Sequence, residues 1–203
     1  MPTRGRPRSF DRDEALASAM QVFWTKGYAD TSMADLTGAM GINSPSLYAA
    51  FGSKEQLFRE AVRLYEQSNS GVLCDAMASA TAREAIEKVL LATAGAADVE
   101  DRPTGCLVVL SAAHPDALPA AACDDLRGIR EGTLAALEDR LRKGRDAGEI
   151  APEADLAAMA AFYATVQQGM AFRARNGATA DELRGTAGAA MLAWDGLAGL
   201  RRS

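Results

Sequence analysis

The chain has 203 residues, 48% of them hydrophobic and 24% charged, and its 43 Ala and 20 Leu stand against only 8 Val and 4 Ile, a balance that favours helix over strand and sets an all-α expectation. No apolar run approaches the ~20 residues of a membrane span, no signal-peptide core follows Met1–Arg8, and the three cysteines (Cys74, Cys106, Cys123) form no CxxC pair, which excludes a disulfide framework or a zinc knuckle and suits a reducing cytoplasm. The net charge of -5 argues against a generic nucleic-acid coat, but residues 1–10 carry +3, residues 1–65 carry +1 and residues 66–203 carry -6, so an acidic body carries an end with a basic arm.

Three segments are expected: an arm at 1–10, a small helical domain at 11–65 and a larger helical domain at 66–203. In the first domain, Asp11 to Lys26 reads as a helix with Leu16, Met20, Phe23 and Trp24 on one face, stopped by Gly27. Thr31 or Ser32 can cap a second, short helix with Met33, Leu36 and Met40 inward. After Gly41, Asn43 or Ser44 can cap a third, with Pro45 in its first turn, Leu47 and Phe51 inward, and Ser46, Tyr48 and Ala49 outward. Ser53-Lys54-Glu55-Gln56 opens a fourth, longer helix.

Two short helices joined at a glycine and braced by a longer one make a helix-turn-helix, whose second helix presents its N-terminal residues to base edges in the major groove. Ser44, Ser46 and Tyr48 supply hydroxyls, and Pro45 and Ala49 permit close approach or contact with a thymine methyl. Lys54, in the first turn of the next helix, adds a second phosphate clamp. In the arm, Arg4-Gly5-Arg6-Pro7 matches the core of an AT-hook; with Arg8 it suits insertion into a narrow A·T minor groove.

The run from Gly27 to Met33, followed by Gly41-Ile42-Asn43-Ser44-Pro45-Ser46-Leu47-Tyr48-Ala49-Ala50-Phe51-Gly52-Ser53-Lys54-Glu55, resembles the DNA-binding domain of the tetracycline-repressor (TetR/AcrR) family over roughly residues 10–60. The resemblance implies a dimeric transcription factor, in most members a repressor, released from double-stranded DNA when a small molecule enters the second domain. By position it implies that Thr31 and Ser32 touch phosphate, that Ser44 to Ala49 face the groove, and that Tyr48 and Lys54 hold the backbone. Where many members carry a bulkier residue and then His after Leu-Tyr, this chain has Ala49-Ala50, which reduces hydrogen bonding from that end of the helix.

Beyond residue 65, Ser68-Asn69-Ser70-Gly71 can end or loosen the fourth helix. Further helices are expected near 82–97, 105–113, 120–147, 153–176 and 181–200, with Asp181 as an N-cap. The last two are rich in Ala and Gly and suit close pairing with a second copy in a four-helix seam, for which Phe162, Val166, Gly169, Ala189, Leu192 and Trp194 are the candidates. The resemblance also implies an effector pocket, with Tyr65, Leu110, His114, Tyr163, Gln167 and Met170 as candidate lining. His114 is the only histidine, and no nucleophile elbow, phosphate loop, metal cluster or cofactor motif is present, so neither catalysis nor a cofactor is expected. Two alternatives stay open: a redox-responsive regulator using Cys106, which follows Gly105 at a helix start, and a DNA-binding protein without a ligand.

Overall fold

The computed structural model describes residues 10–100 and 102–200, and all regular structure among them is helical. Helix α1 (Arg12–Asp30) starts at Asp11, whose carboxylate accepts from the amides of Asp13 (2.8 Å) and Glu14 (3.2 Å). It breaks at Gly27, where φ is +79°, a backbone that a side chain would strain. The carbonyl freed by this break accepts the Thr31 hydroxyl at 2.6 Å, which completes the turn into α2 (Met33–Met40). Helix α2 is opened by a reciprocal Ser32–Asp35 capping box, and α3 (Ser44–Phe51) by Asn43 accepting from the Ser46 amide. Helix α4 (Lys54–Met77) begins at Ser53, whose hydroxyl accepts from the Gln56 amide.

The body comprises α5 (Ala82–Gly95), α6 (Leu107–Ala112), α7 (Ala120–Asp146), α8 (Leu156–Arg175), α9 (Ala180–Met191) and the short α10 (Trp194–Leu197), with 3-10 turns at Ala96–Asp98 and Pro115–Ala117. Three expectations are corrected. Helix α4 runs through Ser68–Gly71, because the Ser68, Asn69 and Ser70 side chains bond back to carbonyls of their own helix rather than terminating it. The cap of α9 is Thr179, in a capping box with Glu182, and Asp181 instead pairs with Arg184. The last helix is not continuous to residue 200: it stops at Met191, and the chain turns to bring Trp194 inward.

Two hydrophobic cores result. The first joins Leu16, Phe23, Leu36, Leu47 and Phe58 of the small helices to Leu107 and Val108 of α6 and Leu126 of α7, so it extends past residue 65. The second gathers Ile86, Leu90, Leu137, Leu141, Tyr163, Met170 and Trp194. Between them, α4 over 66–75, α7 over 127–136 and α8 over 164–169 contain no buried residue. Two polar ties bracket this waist: Arg59 of α4 donates to Asp125 of α7 (2.6 and 3.2 Å), and buried Arg140 of α7 donates to the Ser79 carbonyl after α4 (3.1 Å).

Near the far end of the second core, α7 approaches α5 so closely that a Cβ on Gly144 would lie 2.6 Å from Ala82 Cβ and 3.3 Å from a Glu149 carboxylate oxygen. Neither α5 nor α7 can yield cheaply, because that carboxylate also accepts from the Ala82 amide at 2.5 Å. Gly144→Ala is expected to lower stability by about 1–3 kcal/mol, read as an earlier midpoint in chemical denaturation. An unchanged midpoint would show that the helices separate freely.

Candidate nucleic-acid interface

Helix α3 divides its side chains cleanly. Leu47 and Phe51 are buried in the first core, whereas Ser44, Pro45 and Ala49 are exposed, Ser46 is half-buried and Tyr48 is 50% exposed. This outward face contributes nothing to packing. Its rear is fixed by Arg12, whose guanidinium lies 4.4 Å over the Phe51 ring and pairs with Glu60 of α4 at 2.6 Å. The orientation of α2 is fixed as well: Lys26 pairs with Asp35 at 2.6 Å. That pairing, together with the Ser32 amide and hydroxyl, holds the Asp35 carboxyl well below the usual carboxylate range.

Of the two residues expected at phosphate before α2, only Ser32 is at the surface. Thr31 is 1% exposed and its hydroxyl is committed to the Gly27 carbonyl, which corrects its expected role: the α1 break has to be satisfied from within. Lys54 stands at the first turn of α4 with its ammonium 4.5 Å over the Tyr28 ring. Burial there pulls the Lys54 pKa down against the pull of Asp30, and burial, with Glu55, pushes the Tyr28 phenol up. Arg4, Arg6 and Arg8 lie outside the described residues.

The six residues expected to line one pocket are separated, because the helical spacing that groups them runs along a packed face. Tyr163 is 1% exposed and Met170 fully buried inside the second core. The Tyr163 hydroxyl is buried with no partner among the described residues, and burial pushes its pKa up to about 12. Gln167, on the same helix, is half-buried at the waist. Tyr65 belongs to the first core, edge-on to Trp24 with ring centroids 4.8 Å apart; burial, reinforced by the neighbouring Cys106 thiol, pushes its phenol far up. Leu110 and His114 instead face a separate cleft between α1, α6 and the end of α8.

Of the residues expected at the dimer seam, Phe162 and Leu192 are 37% and 74% exposed, Gly169 and Ala189 are exposed and Val166 is half-buried. Trp194 is 2% exposed, its ring centroid 6.0 Å from that of Tyr163, so it stabilises its own subunit and cannot meet a partner. The long-range ties Arg59–Asp125, Arg12–Glu60 and Arg175–Thr25 went unforeseen; they join residues 66, 48 and 150 positions apart, and no local pattern marks such pairs.

Residues 15–61 match the model for bacterial regulatory proteins of the tetR family, and residues 84–190 match the tetracyclin repressor-like C-terminal domain. The HTH-type transcriptional repressor ComR of Escherichia coli (strain K12) is 34% identical over 200 residues, spanning 95% of this chain and 92% of that protein. The uncharacterized HTH-type transcriptional regulator YezE of Bacillus subtilis (strain 168) is 31% identical over 186 residues, spanning 89% of this chain and 94% of its own length. Among solved structures, a cysteine mutant of the TetR-family regulator CifR in complex with 26-bp double-strand operator DNA superposes with a TM-score of 0.87 at 40% identity, covering 93% of this chain and all of that one. The outward face of α3, the helix-turn-helix that holds it and the helical body behind it are thus those of a transcriptional regulator, and the chain belongs to the TetR family of bacterial regulatory proteins.

Proposed function

We propose that the protein is a ligand-responsive repressor that binds a palindromic operator as a homodimer and leaves it when a small molecule binds. The observation that carries the reading is the α3 face: Ser44, Pro45, Tyr48 and Ala49 are exposed on a helix whose other side is fully packed, and such a face suits the major groove. The relatives' names, a repressor and a regulator bound to operator DNA, support it. In this reading Ser32, Tyr48 and Lys54 hold phosphates, and the arginines of the arm enter the adjacent minor groove. A second copy joins through the apolar side chains left on α8 and α9, with Phe162, Val166, Gly169, Ala189 and Leu192 at the seam, so that two α3 helices are spaced ~34–36 Å apart for successive grooves. The effector acts by preferring a conformation in which that spacing is lost.

A second reading replaces the effector by oxidation of Cys106, favoured by the place of this thiol. It is half-buried at the start of α6 and opposes the Tyr65 hydroxyl. Arg102 also stands close by, its guanidinium 4.7 Å over the Trp24 ring that packs on Tyr65. Oxidation by a peroxide to a sulfenic acid would put a polar group against the first core. Cys106→Ser separates the two readings: if peroxide releases DNA from the wild type and not from the serine variant, the thiol is the sensor.

Fluorescence anisotropy on the DNA flanking the protein's own gene, with a scrambled competitor and a salt series, tests operator binding. One palindromic site is expected to bind tightly and resist the competitor. Deleting residues 1–8 is expected to reduce the slope of log K against log salt by about 3, one for each arginine lost. Tyr48→Ala is expected to weaken operator binding about tenfold, with the fold retained because the ring lies outside the first core. Binding that is equal on all sequences and vanishes with salt would overturn the operator reading.

A further inference from the structure

The C-terminal end of α1, the outer side of α6 and the last turn of α8 enclose a cleft of about 420 Å³, within the size range of small-molecule sites. Its floor is apolar: Trp24 and Leu107 are buried there and Leu110 is half-buried. Phe172, also in the wall, is 38% exposed, and the buried Trp24 indole N–H has no partner among the described residues. An apolar lining with uncovered aromatic surface favours an aromatic or compact aliphatic body.

Three charged residues line the wall: Lys26, Asp30 and Arg175. Lys26 is paired with Asp35, and Asp30 is the one acid among them. Arg175 is left over. It has no carboxylate within salt-bridge distance among the described residues, and its guanidinium donates instead to the Thr25 carbonyl near the end of α1. One uncompensated guanidinium beside an apolar cleft matches a single negative charge on a planar group, and a carboxylate meets it in a bidentate pair. A dianion would leave one charge unmatched next to Asp30.

We propose that this cleft binds an apolar monocarboxylate, with Arg175 as the anchor, and that the anchor is transferred from the α1 carbonyl to the ligand on binding. A charged acceptor outcompetes a neutral carbonyl for the same donor, so occupancy frees the end of α1 just before the Gly27 break that leads into the helix-turn-helix. The proposal rests on the effector reading for this consequence alone. Binding to the cleft is measured without DNA, so failure of operator recognition and failure of the cleft are distinguished.

The probe is 2-naphthoate, with neutral 2-naphthamide as control, titrated by calorimetry into the full-length protein. Saturable binding of the acid is expected, with the amide about ten- to a hundredfold weaker because it lacks the charge-assisted pair. Arg175→Met keeps most of the side-chain bulk and is expected to bring the acid down to the affinity of the amide. Ala117→Phe fills the cleft from the 3-10 turn after α6, leaves Arg175 in place and is expected to abolish binding of both; circular dichroism confirms that each variant is folded. No saturable binding of the acid, equal affinity for acid and amide, or full binding in either variant would each overturn the proposal.

Discussion

The first core is shared between two parts of the chain that the sequence divides. Phe23 and Phe58 of the small helices meet edge-on at 5.1 Å, and Leu107, Val108 and Leu126 from α6 and α7 close the same cluster. Close-packed interiors transmit displacement and do not absorb it, so α1, which packs on α6, and α4, which packs on α6 and α7, carry movement of the body to the α2–α3 pair seated on them. The 24 residues of α4 reinforce this, since an unbroken helix of that length is a rod of about 36 Å. It is tied to α7 at its beginning by Arg59–Asp125, and the turn after it is tied to α7 by the Arg140–Ser79 bond. The bare waist between these ties is the place where the body can change shape with the least loss of buried apolar surface.

The small helices were legible because their signals are local. Asn43 and Ser53 cap where hydroxyl and amide side chains cap best, Gly41 ends α2 in the left-handed region, and Leu47 and Phe51 at i, i+4 fall inward. The role of Thr31 is set by a feature that is also local but needs geometry. A hydroxyl beside a helix end serves phosphate or carbonyl equally well, and only the φ of Gly27 shows that a carbonyl has been freed. In the body the same rules found the helices and missed what each face meets. Tyr163, Gln167 and Met170 do share a face, but Tyr163 and Met170 are buried in the second core, whereas Gln167 lies half-buried at the waist. Trp194 is turned inward because α9 ends at Met191 and the chain bends there, which the alanine- and glycine-rich run to residue 200 does not signal.

The face of α3 proposed to meet DNA is polar but carries no charge: three serine or tyrosine hydroxyls, a proline and an alanine. Affinity for a polyanion then has to come from elsewhere, and the basic residues of the first 65 positions lie mainly in the arm or in pairs. Arg12, Lys26 and Arg59 are each neutralised by a carboxylate, which spends their charge on orienting the helix-turn-helix rather than on phosphates. Such exposed or half-exposed pairs contribute little stability, about 0–1 kcal/mol each, yet each fixes one angle between two helices. On the proposed reading this division leaves sequence discrimination to contacts of neutral groups and bulk attraction to the arm and Lys54, so the salt dependence of binding reports on these more than on α3.

The proposed release from DNA needs a modest change in free energy, because coupling between two sites is commonly about 1–3 kcal/mol, or 5- to 150-fold. A single guanidinium exchanging a neutral carbonyl for a carboxylate lies within that range. The exchange at Arg175 acts at a favourable point. The Thr25 carbonyl lies two residues before Gly27, where α1 is kinked, so the segment 27–32 can shift about an existing break in the helix. Downstream of that segment α2 is held by Lys26–Asp35 and by its own capping box, and therefore moves as a unit. A displacement of α1's end would then reach α3 as a rotation of the whole helix pair, not as local fraying. In the proposed dimer, loss of a groove spacing set by two such pairs requires only that the rotation be repeated in the second copy.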